Sequence, residues 1–103
     1  MNREHYLAHL QKAIRAVHGS DSRHVETVPV RETFKGRTVW EGDVEVFDLI
    51  GHAKAKRCYA WAYDGKTGSN TIAVLELPPV ISPLTAVQAY VMSEAEKVGA
   101  GKK

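Results

Sequence analysis

Several things are scarce in this 103-residue sequence, which holds one cysteine, four prolines and two tryptophans. Cys58 has no second thiol to meet. That excludes an intramolecular disulfide scaffold and, with no secretory leader in view, predicts a reducing, cytoplasmic setting. No apolar stretch approaches the roughly 20 residues that a membrane-spanning helix needs. A surplus of one charge is missing as well. Lys102 and Lys103 account for the whole formal +2, and the rest of the chain carries 12 basic and 12 acidic residues. A chain without a broad basic field is a poor general nucleic-acid binder. With 44% hydrophobic and 25% charged residues, what is present is an ordinary globular composition. The length fits one domain with its own core and leaves no room for a second.

Hydrophobic periodicity divides the chain. Tyr6, Leu7, Leu10, Ala13, Ile14 and Val17 recur at three- and four-residue spacing, predicting an amphipathic helix over 3–18 that Gly19 ends. Ser20, Asp21 and Ser22 then read as a loop. From His24 to Leu49 the period becomes two, with Val28, Val30, Phe34, Trp40, Val44 and Val46 on one side and Arg31, Glu41, Asp43 and Glu45 on the other. A three-residue turn at Lys35-Gly36-Arg37 sets Arg31 opposite Glu41 and Val28 opposite Val44, so Glu41, Asp43 and Glu45 read as partners for nearby bases. Pro29, with no N–H to donate, places the first strand at a sheet edge. Arg57 to Tyr63 and Thr71 to Leu77 are two further strands around a turn-rich 64–70 segment, and Pro78-Pro79 stops the last. Ser82-Pro83 has the form of a helix cap and first turn, with apolar spacing running to about residue 98. Residues 1–98 thus form one domain, and 99–103 read as a flexible tail.

The order α-β-β-β-β-α with short connections predicts an α+β fold, a four-stranded antiparallel meander with both helices packed on one face. Cys58, Ala60 and Ala62 form a small-residue face suited to closely packed helices. Tyr59, Trp61 and Tyr63 then form an aromatic stripe on the other side. Such a stripe has three readings: core, an interface for a second copy, or a stacking platform for unpaired bases.

The remaining motifs are sparser. His52, Lys54, Lys56 and Arg57 make the densest basic cluster, a candidate anion-binding loop or a solvated surface. His5 and His9 are four residues apart on the first helix, a spacing that suits one metal ion. Two ligands do not define a site, so no metal or cofactor is predicted. Gly65-Lys66-Thr67 lacks the upstream glycine and the following helix of a phosphate-binding loop. No nucleophile, base and orienting group occur together, so an enzyme is not the favoured reading. The expectation is a non-catalytic interaction module that forms a homodimer or binds another protein through Tyr59, Trp61 and Tyr63. The alternative is single-stranded nucleic-acid or anion binding by the same stripe with the 52–57 loop.

Overall fold

The computed structural model describes residues 3–65 and 68–101; the side chains of 64, 65, 68, 69 and 95–101 are left out of that description. Six elements follow in order: α1 (Arg3–His18), β1 (Asp21–Phe34), β2 (Arg37–Ile50), β3 (Arg57–Gly65), β4 (Gly68–Leu75) and α2 (Pro83–Gly101). The strands form one antiparallel sheet in the order β1-β2-β3-β4, the α+β meander expected from the sequence.

Element ends follow local chemistry. Gly19 takes φ 68° and its N–H bonds the Arg15 carbonyl at 2.9 Å, closing α1. At the start of α2 the Ser82 hydroxyl accepts the Thr85 N–H at 3.2 Å, while Thr85 Oγ1 accepts the Ser82 N–H at 2.8 Å. That reciprocal pair satisfies donors which a helix start otherwise leaves open. Helix α2 continues to Gly101, past the predicted end at 98, and Lys102 and Lys103 lie outside the described residues. The predicted 64–70 loop shrinks in the same way. Asp64↔Ser69 and Gly65↔Gly68 pair as strand, and only residues 66–67 between them fall outside the description. Strand β1 likewise begins at Asp21, inside the segment expected as loop.

The β1–β2 ribbon has the predicted register by an unexpected route. Arg31 faces Glu41 and Val28 faces Val44, yet the turn has two residues, because Phe34 pairs with Arg37. Lys35 (φ 52°) and Gly36 (φ 78°) are both left-handed, as a type I′ turn requires. Val39 is then skipped between Thr33↔Thr38 and Glu32↔Trp40, a bulge that supplies the missing offset. A second skip, at Val25 between His24↔Phe47 and Glu26↔Val46, lies on the other strand. The Leu49 N–H bonds the Lys56 carbonyl at 2.8 Å, so between the Val39 bulge and Leu49 the odd residues of β2 point their backbone groups toward β3 and the even ones toward β1. Pro29, opposite Asp43, therefore turns its nitrogen to the open edge of the sheet, as its position predicts.

The helices do not share a face. Leu10 and Ile14 of α1 pack on Phe47, Cys58 and Ala60. Ala86 and Val87 of α2 pack on Val30, Val44, Val46, Tyr59 and Trp61, which point the opposite way. The predicted placement of both helices on one side is thus corrected: the sheet is sandwiched between α1 and α2. The reason is that both sides are apolar where β2 and β3 pair, with Val44, Val46, Tyr59 and Trp61 on one and Phe47, Leu49, Cys58 and Ala60 on the other. Leaving either in water forfeits its burial, and each large ring buries about 150–250 Å², worth roughly 4–6 kcal/mol.

Candidate functional site

The aromatic stripe lies beneath α2. Tyr59 and Trp61 are each 2% exposed. Trp61 stands edge-on to Trp40 at 5.3 Å and to Tyr90 of α2 at 5.6 Å between ring centroids. Gly42 makes room for this cluster, since a Cβ there would come within 3.2 Å of the Trp40 ring. The Tyr59 hydroxyl donates to Glu76, and burial first, then that bond, pushes its phenol well above the ordinary range. Only Tyr63 reaches solvent, with the Tyr90 hydroxyl donating to its oxygen at 3.0 Å. Burial and that contact raise the Tyr90 phenol in turn. Two of the three residues expected on an open face are therefore core, and the open aromatic platform is replaced by a helix-covered one. The Trp61 indole N–H is buried with no partner among the described residues.

The basic loop is also partly committed. His52 Nδ1 accepts the backbone N–H groups of Lys54 (3.1 Å) and Ala55 (2.9 Å), so its ring shapes the turn. Arg57 Nε donates to Asp48 Oδ1 at 3.2 Å, while Arg23 reaches the other oxygen of Asp48 at 3.3 Å. Lys54 and Lys56 are the exposed members. The four expected anion ligands thus split between turn, ion pair and surface.

His9 Nε2 sits 2.9 Å from Thr71 Oγ1, tying α1 to β4. Among the described residues no group of three or more His, Cys, Asp and Glu is arranged to hold a metal ion. Cys58 is fully buried, and burial pushes its thiol up to about 12, leaving it protonated and inert.

The acidic strand face divides as well. Arg31 Nε donates to Thr38 Oγ1 at 3.1 Å, even though Glu41 faces it across the ladder. Glu45, 1% exposed, has its partners on the α1 side of the sheet. Its Oε1 accepts from His24 Nε2 (2.8 Å), the Thr27 hydroxyl (2.5 Å) and Arg3 Nη2 (3.2 Å), and Arg3 also donates to Thr27. Three donors on one oxygen offset the cost of burying the carboxylate. The Thr27 hydroxyl donates to the acid, away from the imidazole, so this is not a nucleophile–base relay.

One surface that the sequence reading did not single out remains. An open groove of about 570 Å³ runs between the tip of the β1–β2 ribbon and α2, lined by Phe34, Val39, Val91 and Met92 with Glu32, Thr33 and Gln88. Phe34 and Met92 are each 64% exposed. Phe34 had been expected on the buried side; the ribbon carries it past the layer that α2 covers. The available signal was the uncharged run from Pro83 to Ser93, three turns of helix with no acid or base. A second, shallower depression of about 230 Å³ runs along Pro29, Arg31, Glu41 and Asp43. No helix among the described residues is long and apolar enough to cross a membrane.

Comparison with protein-family models, curated proteins and solved structures gives no match to this chain.

Proposed function

We propose that this chain is a small, non-catalytic interaction module of the cytoplasm that pairs with a second copy of itself through the α2–ribbon groove. The observation that carries the reading is the outer side of α2, uncharged from Pro83 to Ser93, where Leu84 and Met92 are exposed beside Phe34 of the ribbon. Helices facing water normally carry charge there, and a contiguous exposed apolar patch marks an interface. Charge complementarity selects a second copy as the occupant. Glu32 lines the groove, and exposed Lys35 and Arg37 stand at the ribbon turn, so a two-fold axis brings acid to base twice. The lone buried Cys58 supports the reducing compartment. The nucleic-acid alternative lacks its stacking surface while α2 covers Tyr59 and Trp61.

Sedimentation velocity across protein concentration tests this. Wild type should form a dimer that Phe34→Glu and Met92→Glu each convert to monomer, with unfolding midpoints close to wild type because both positions are exposed. A wild type that stays monomeric at the highest concentration, or variants that still dimerise, would overturn it.

A further inference from the structure

The sheet is one sheet only over a short junction. Strands β2 and β3 pair at Glu45↔Ala60, Val46↔Tyr59, Phe47↔Cys58 and Asp48↔Arg57. Beyond Glu45 the two hairpins part: β2 continues back to Arg37 paired only with β1, and β3 continues to Gly65 paired only with β4. If the register continued, Asp43 would face Ala62, with both N–H groups turned inward. The Ala62 N–H donates instead to the Tyr6 hydroxyl of α1, at 3.0 Å. Three residues earlier on the same helix, Arg3 bonds Thr27 and Glu45 on the β1–β2 side of the split. Residues three apart share a helix face, so one turn of α1 grips both arms at the point where they diverge.

We propose that the first turn of α1 is a spacer that fixes the angle between the two hairpin arms and, through it, the width of the α2–ribbon groove. The groove lies between α2 and the part of the ribbon beyond the junction, and Tyr90 ties α2 to Trp61 and Tyr63 of the other arm, so arm angle and groove width change together. The effect on binding rests on the groove being the docking surface; the spacer itself does not. Any partner or modification that engages Arg3 or Tyr6 would then alter the groove from the opposite face of the sheet.

Tyr6→Phe removes one oxygen and keeps the ring. In its NMR spectrum an amide–amide contact between Asp43 and Ala62 and an Hα–Hα contact between Val44 and Trp61 should appear as the ladder extends. Spin labels at Lys35→Cys and Gln88→Cys should report a changed distance across the groove in Tyr6→Phe, and again in Arg3→Gln, which frees the other arm. Burial keeps Cys58 away from the label. Faster exchange of the Ala62 amide with no new cross-strand contact and an unchanged label distance would overturn the spacer, since the strands would then diverge on their own account. With the labelled chain diluted into an excess of unlabelled chain both readouts are intramolecular, so a monomeric wild type would overturn the self-association and leave this inference standing.

Discussion

The two helices cover the two faces of one sheet and meet water in opposite ways. Helix α1 buries Leu10 and Ile14 and turns Glu4, Lys12 and Arg15 outward, with Val17 near its end the one large apolar side chain it leaves exposed. Helix α2 buries Ala86 and Val87 and then exposes Leu84 and Met92, with no charged residue before Glu94. The surfaces beneath them differ in the opposite sense. Under α1 lie Phe47, the smaller Cys58 and Ala60 and a buried carboxylate, Glu45; under α2 lie the rings of Trp40, Tyr59 and Trp61. One side thus has a charged exterior over a partly polar seat, and the other an uncharged exterior over an apolar seat. The contrast separates a helix that completes the fold from one that also offers a surface.

The largest test of this contrast is Trp61→Ala. If the α2 side is core first and surface second, the variant should lose about 3–5 kcal/mol of stability in urea titration. A loss under 1 kcal/mol would mean that α2 does not seal the rings. Glu45→Ala probes the other side. It leaves Arg3 and His24 without their acceptor, but both reach solvent, so the expected loss is smaller, about 1–3 kcal/mol. A stability gain would show that burying the acid costs more than its three donors return. Smallest is Lys35→Asn at the ribbon turn, where asparagine tolerates the left-handed backbone better than lysine. Thermal unfolding should show about 0.5 kcal/mol of added stability in the protomer, while the dimer weakens slightly because one of the two bases that meet Glu32 is lost.

Local chemistry was readable from the sequence, and choices between equivalent surfaces were not. The Ser82 cap, the Gly19 stop and the edge position of Pro29 each depend on a few neighbouring residues, and each was anticipated. The pairing of Arg31 with Glu41 follows from alternation and charge, but the offset that produces it comes from the Val39 bulge and not from a third turn residue, and no residue type marks that bulge. Alternation along β3 separates Tyr59 and Trp61 from Cys58 and Ala60, but it cannot assign a helix to each set. Both sets are apolar, so periodicity alone is symmetric with respect to the two helices. The groove was hidden for a different reason: it exists only because β2 runs on past its junction with β3. Glu45 looked like its exposed neighbours Glu41 and Asp43, and only the approach of Arg3 and the Val25 bulge beside His24 distinguishes it.

The two bulges also bear on how this chain tolerates changes in length. Strands β1 and β2 each span 14 residues, and each includes one residue, Val25 or Val39, that faces no partner. Losing either one alone leaves every remaining pair opposite its present neighbour and every side chain on its present face. Losing a single residue between Glu26 and Glu32 instead turns one side of the cut inside out, moving valines to the wet face and charges inward. Single-residue deletions in this ribbon therefore have two permissive addresses, one beside the buried acid and one beside the groove.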